Sequence, residues 1–325
     1  MAEKRIAVVR FSALGDVALL WPVLCQVAQS YPDYKITFFT RPAFLDHLPD
    51  HPGIEKVGLD VDHAYASPVS LFLFWWGWLR STYPEAWVDA HAHLRTRSGT
   101  WLAARFSARV GKLEKHRALR KAFLEKKVQQ LPLVQESYAN AFAQAGFPIE
   151  WPIALPNASR PLSSTLLLAP FAAHESKRIP LETAYALAAW WQGLGGAVVL
   201  MGHCSEIDGW NGPNVLFARP DQEASLWAEA AVAVVMDSAN QHLASLLGTP
   251  SVTVWMGTAP EAGFVPIHSG EQEHVQPTGL ACFPCSIYGT SKCSRGDFAC
   301  QQIPLDQIQK AIVKVARTDL PLHAL

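Results

Sequence analysis

The chain of 325 residues has no apolar run long enough to cross a bilayer. The most aromatic uncharged stretch, residues 63–79, carries Leu71-Phe72-Leu73-Phe74-Trp75-Trp76-Gly77-Trp78-Leu79, but its strongly apolar part is too short. The longer uncharged run from Ser238 to Pro260 is broken by Asn240, Gln241, His242, Gly248 and Pro250. Met1-Ala2-Glu3-Lys4-Arg5 leads straight into an apolar strand without the apolar segment and cleavage site of a secretory signal, so a cytoplasmic location is expected. Charge is scarce too. Only 17% of residues are charged and the net charge is -1, which argues against a general polyanion binder, and no nucleic-acid partner is expected. No G-x-G-x-x-G follows the first strand or the strand ending at Pro170, and Gly193-Leu194-Gly195-Gly196 precedes a strand, which disfavours a nucleotide-dependent oxidoreductase.

What is present is apolar residues, half of the chain, in alternating strand and helix signals. Ile6-Ala7-Val8-Val9 reads as a strand buried on both faces, followed by helical spacing from Val17 to Ala28. Lys35–Phe39 and Ala86–Asp89 read as strands, with helices near Leu71, Leu102 and Tyr138. A stretch with Pro148, Pro152, Pro156 and Pro161 reads as a linker. A second series follows: strands at Thr165–Pro170, Ala197–Met201, Val232–Asp237 and Ser251–Trp255, with helices at Leu181–Gly193, Glu223–Ala231 and His242–Leu247. The length suits two α/β domains, residues 1–155 and 156–325, with the alternative that the final helix packs back on the first.

Ligands collect at strand tips in such sheets, and the tips are polar here. The first carries Arg10-Phe11-Ser12-Ala13-Leu14-Gly15-Asp16, with Asp16 at the start of a helix, where a capping role and a role facing a cleft are compatible. In the second series the tip after Pro170 holds His174, Glu175, Ser176, Lys177 and Arg178. The tip after Met236 holds Asp237, Ser238, Asn240, Gln241 and His242, and the tip after Trp255 holds Gly257 and Thr258. A lysine, an arginine and a helix N-terminus together suit a diphosphate. Singly, Ser238 reads as a cap, His242 as a core histidine and Lys177 as a solvated side chain; their joint placement makes the site.

Other features keep two readings each. The basic run from Arg105 to Lys127 is either a solvated helix face or a contact for an anionic acceptor or membrane surface. The aromatic stretch near Leu71 is either a core helix or an interfacial anchor. Cys25 and Cys204 read as packed or semi-buried thiols, whereas Cys282, Cys285, Cys293 and Cys300 are either a structural zinc site or a packed thiol cluster; the second half lacks the usual close pair.

Arg10–Asp16 followed by Leu20-Trp21-Pro22-Val23-Leu24, Lys177-Arg178-Ile179-Pro180, Gly202 with Glu206, and Asp237-Ser238 with His242-Leu243-Ala244 ahead of Gly248-Thr249-Pro250 resemble glycosyltransferase family 9, the ADP-heptose:lipopolysaccharide heptosyltransferases. The resemblance covers nearly the whole chain in order, and Cys282-Phe283-Pro284-Cys285 with Cys293 and Phe298-Ala299-Cys300 looks like the cysteine-rich tail of many members. It implies a GT-B fold, two facing Rossmann-like domains with a ligand cleft between them, the donor bound mainly by the C-terminal one and the acceptor by the N-terminal one. It implies Asp16 as catalytic base, Lys177 on the donor diphosphate, Glu206 on the adenosine ribose, and Asp237 and His242 on the donor. Ser238 and Thr258 are further donor-side candidates; Ser12, Arg95 and Arg120 are acceptor-side candidates. The chain departs from the family with Ala239-Asn240 after Asp237-Ser238 and with Phe171 and Ile179 in place of a common Gly and Trp.

The expected activity is inverting transfer of heptose from an ADP-sugar to a lipid-linked lipopolysaccharide inner-core acceptor. No metal or other cofactor is expected to be required, and a peripheral position on the inner-membrane surface is allowed. The alternatives are a transferase of the same fold using another nucleotide sugar, or a non-catalytic protein that binds a sugar nucleotide or a lipid surface.

Overall fold

A computed structural model describes residues 3–106, 108–153, 160–202, 204–218, 222–267 and 270–322, so residues 154–159 of the expected linker lie outside the description. By its internal packing the chain divides into a first unit of Met1–Arg117 with Pro132–Ala154 and a second of Ala118–Leu131 with Leu155–Leu325. The segment Ala118–Leu131 thus departs from a single cut near residue 155. Among the described residues no helix is long and apolar enough to cross a membrane.

The first unit contains β1 (Lys4–Val9), α1 (Leu14–Ser30), β2 (Tyr34–Thr40), β3 (Ile54–Gly58), α2 (Pro68–Thr82), β4 (Ala86–Asp89), α3 (Arg97–Arg105) and β5 (Arg109–Lys112). The helix α4 (Arg117–Leu124) leaves it almost entirely, and α5 (Val134–Gln144) returns to it. Its strands are all parallel in the order β3-β2-β1-β4-β5. The central strands are continuously apolar because helices cover both faces. On one face Trp75 of α2 packs edge-on to Phe39 and Trp87, with centroids 5.0 and 4.9 Å away. The α2 start is built locally: Ser67 Oγ accepts from Ser70 N–H at 3.0 Å, and Pro68 occupies the first turn, where its missing donor costs nothing.

The second unit contains β6 (Thr165–Ala169), α6 (Leu181–Gly193), β7 (Ala197–Leu200), α7 (Cys204–Ile207), β8 (Leu216–Phe217), α8 (Glu223–Glu229), β9 (Val232–Met236), α9 (Ala239–Leu246), β10 (Ser251–Val254), β11 (Gln272–Val275) and α10 (Leu305–Val315). Its sheet is parallel in the order β11-β10-β9-β6-β7-β8, the dinucleotide-fold order when counted from β6. The last helix buries Ile308, Ile312 and Val315 in this unit's own core beside Val234 and Val252. It therefore takes part in the packing of the second unit.

Two further expectations change. The basic run is not one helix face: Arg105 ends α3, Arg109 and Lys112 lie on β5, and Arg117, Arg120 and Lys121 lie on α4. Asp16 is not the N-cap of α1; Ala13 holds that position and Asp16 is the third helical residue. In each sheet the strand order reverses once, between β1 and β4 and between β6 and β9. In open parallel sheets ligand sites lie outside the C-terminal ends of such strand pairs.

Candidate functional site

At the first reversal, β1 runs out into Arg10 and the turn folds back so that Arg10 Nη2 lies 2.6 Å from Asp16 Oδ2. The same oxygen accepts from the Ala13 N–H at 3.2 Å, which satisfies one of the orphan donors of α1 and keeps a negative charge in its first turn. Arg10 is itself buried: it donates to the Ala90 carbonyl and lies over the Tyr138 ring, 5.5 Å from its centroid. Tyr138 in turn donates to the Asp16 carbonyl at 3.3 Å. Arg10 and the Ala13 N–H thus hold the carboxylate, while Tyr138 of α5 supports both Arg10 and the Asp16 backbone.

The neighbouring tip, after β4, is organised by Asp89. This buried carboxylate accepts from the N–H groups of His91 (3.1 Å) and Ala92 (2.7 Å) and from the hydroxyls of Thr96 (2.8 Å) and Thr100 (3.0 Å). The loop so fixed brings His91 Nε2 to 3.1 Å from Ser12 Oγ, linking the two strand tips across the reversal. Burial, with Arg10 next in effect, pushes the His91 imidazole down to about 3, so it is neutral at ordinary pH. Arg95 donates to Asp62 at 3.0 Å, beside Arg41 at 2.7 Å, and hydrogen bonds from these two guanidinia hold the Asp62 carboxyl down at about 2. Arg120, on α4, belongs to the second unit, where it donates to the Tyr288 hydroxyl and lies over the Phe264 ring.

At the second reversal, Lys177 ends a short 3-10 turn after β6 and its Nζ lies 2.9 Å from Asp237 Oδ2, at the tip of β9. Thr258, after β10, donates to the same oxygen at 2.6 Å. Three strand tips converge on one carboxylate, and Asp237 and Thr258 are both buried. Ser238 is the N-cap of α9, and its backbone rather than its side chain marks the helix start; among the described residues its buried Oγ has no hydrogen-bond partner. His242 is buried on the first turns of α9. Glu206, on α7 after β7, accepts from Arg178 Nη2 at 3.3 Å, so it is joined to the residue next to Lys177 and not to Lys177 itself.

Support for Lys177 comes from a segment with no sequence signal. Gly289, at φ +96°, lies against the lysine stem: a Cβ there would sit 2.5 Å from Lys177 Cδ. Ser286 Oγ accepts from the Gly289 N–H at 2.9 Å, and the Thr290 N–H donates to Ser176 Oγ at 2.8 Å. Gly257 closes the other side by donating to the Ser176 carbonyl at 2.8 Å, where a Cβ would meet Ser176 Oγ at 2.6 Å. The four tail cysteines are free thiols lining one small cavity with Met256 and Phe298. Among the described residues no group of three or more His, Cys, Asp or Glu side chains is arranged to hold a metal ion.

No protein-family model and no curated protein matches the sequence. Solved structures do match. A glycosyl transferase family 9 protein from Veillonella parvula DSM 2008 superposes with a TM-score of 0.71 at 16% identity, covering 97% of each chain. The fold is GT-B. The same architecture matches E. coli heptosyltransferase WaaC, solved with ADP, with a TM-score of 0.63 at 18% identity over 87% of this chain and 96% of that one. It also matches E. coli ADP-heptose lps heptosyltransferase II with a TM-score of 0.64 at 16% identity over 95% and 99%. In GT-B terms this chain is a pair of Rossmann-like units, each with a polar cluster at its own strand-order reversal.

The residues missed in the sequence are Arg10 as the partner of Asp16, Asp89 as organiser of the His91 loop, and Gly289 beside Lys177. Only Arg10 carried a local signal, a charged residue ending an apolar strand.

Proposed function

We propose that this GT-B chain is an inverting glycosyltransferase that moves heptose from an ADP-sugar to a lipid-linked lipopolysaccharide inner-core acceptor. The observation that carries the reading is the convergence of Lys177 and Thr258 on Asp237 at the strand-order reversal of the second unit, in a chain whose solved neighbours are glycosyltransferases. Such a cluster, beside the N-terminus of α9, suits an anionic diphosphate.

In this scheme the acceptor hydroxyl attacks the anomeric carbon from the face opposite ADP. The new C–O bond forms as the bond to the diphosphate oxygen breaks, and the electron pair leaves with ADP. Lys177 and the N–H groups of α9 stabilise the leaving charge electrostatically. Asp16 accepts the hydroxyl proton. Arg10 and the Ala13 N–H orient that carboxylate through Oδ2. Glu206 holds the ribose, with Ser238 and His242 completing the donor side, and Ser12 and Arg95 face the acceptor.

The test is a donor screen across ADP-, GDP- and UDP-sugars with a truncated lipopolysaccharide acceptor. ADP-heptose is expected to be turned over, and Asp16→Ala to lose at least ~100-fold in rate with donor affinity retained. Turnover of a different sugar nucleotide alone would overturn the donor assignment, and an unimpaired Asp16→Ala enzyme would remove the base.

A further inference from the structure

The outer faces of α2 and α3 carry a feature that the transfer chemistry leaves unused. Along α2 the side chains of Val69, Leu73, Trp76 and Arg80 recur at spacings of four, three and four, which places them on one helical face. That face points to solvent: Val69 is 68% exposed, Leu73 62% and Trp76 43%. The opposite face is spent on the core, where Leu71, Trp75 and Leu79 are fully covered. Phe72 stacks on Trp76 with centroids 6.4 Å apart, and Phe106, at the end of α3, packs on Trp76 at 5.5 Å. The adjoining helix α3 repeats the pattern with Arg97, Trp101 and Arg105 exposed, Trp101 by 58%.

The charges on this surface have one sign. The two helices, residues 68–82 and 97–105, contain Arg80, Arg97 and Arg105 and no Asp or Glu. The nearest flanking acids in sequence are already paired, Asp62 with Arg41 and Arg95 and Glu85 with Arg109. Among the described residues none of the three helix arginines has an ion-pair partner. An exposed apolar face with indole rings and an arginine rim, and no carboxylates, matches a surface that is apolar beneath and anionic above. A second copy of the chain is a poor occupant, because a two-fold contact would set arginines against arginines with no acid to meet them.

We propose that the α2–α3 face is a docking surface for an anionic phospholipid bilayer, with Leu73, Trp76 and Trp101 entering the acyl boundary and Arg80, Arg97 and Arg105 meeting lipid phosphates. The proposal is independent of the sugar-nucleotide assignment, since it concerns a face that holds none of the residues assigned to transfer.

Flotation of the full chain with vesicles, in buffer without any sugar nucleotide, tests it. Binding is expected to phosphatidylcholine vesicles containing a quarter phosphatidylglycerol, and to be weak on phosphatidylcholine alone. Leu73→Ser/Trp76→Ser should lower the partition coefficient at least ~10-fold. Arg80→Gln/Arg97→Gln/Arg105→Gln should lower it ~100-fold on anionic vesicles only, from roughly fivefold for each charge removed. Leu216→Ser, an exposed apolar position on β8, should leave it unchanged. The proposal is overturned if the wild-type chain stays with the soluble fraction, or if both multiple variants float as well as wild type. It is equally overturned if the face instead drives self-association, seen as a concentration-dependent dimer in light scattering that Leu73→Ser/Trp76→Ser abolishes. Because no donor is present, a failed flotation leaves the transfer reading standing and a failed donor screen leaves this one standing.

Discussion

Arg10 Nη2 and Asp16 Oδ2 lie 2.6 Å apart across the turn that joins β1 to α1, with the arginine almost fully buried. The guanidinium is fixed from behind by the Ala90 carbonyl and the Tyr138 ring, so it acts as a rigid post for the carboxylate.

Arg10→Met should therefore cost stability and rate together. Removing one partner leaves Asp16, 25% exposed, without its closest cation, and a loss of about 2–3 kcal/mol is expected in urea unfolding. With an active donor and acceptor in hand, kcat should fall at least ~10-fold with the donor KM little changed. A raised donor KM at constant kcat would instead assign Arg10 to donor binding.

On the donor side, Lys177→Ala should weaken ADP-sugar binding by ~10-fold or more, as expected for loss of a charge-assisted contact. Thr258→Val keeps volume but removes the 2.6 Å donation to Asp237, and about 1–2 kcal/mol of stability should go with it. Calorimetric titration with ADP and thermal melts separate the two effects. Unchanged ADP affinity in Lys177→Ala would refute its role.

Gly289→Ala tests the support behind the lysine. The backbone conformation at φ +96° is strained for any side chain, and the added methyl would meet the Lys177 stem. About 1–2 kcal/mol of destabilisation and a measurable loss of ADP affinity are expected. Gly279→Ala, also at positive φ (+72°) but with open space around its Cβ, should lose stability without the affinity change.

His91 carries a pH signature. Its imidazole is held at about 3 when folded and near 6.5 when unfolded, so the unfolded chain takes up the proton first. Stability from this group is complete above about pH 6.5 and falls as the pH drops toward 3. Between pH 7 and 5.5 the wild type should lose about 1 kcal/mol more than His91→Asn in denaturant unfolding. Equal losses in the two proteins would show that His91 is not shielded from protons.

The alternation of apolar strands and helices and the polar strand tips were legible in the linear chain, because buried parallel strands are continuously apolar and ligand-binding groups gather beyond their C-terminal ends. The strands that escaped notice, β3, β5, β8 and β11, are the four sheet edges, where one side needs no partner and Lys56, Arg109 or Glu273 can sit without cost to the core. Asp16, Lys177, Asp237 and Thr258 could be nominated from their positions after strands. That Lys177 and Thr258 share one oxygen of Asp237, and that Arg120 sits with Tyr288, depended on which segments the fold brings together. Residue spacing along the chain carries the periods of helix and strand, which are local. Pairing across 21 to 168 residues is set by strand order, and strand order is a property of the tertiary packing alone.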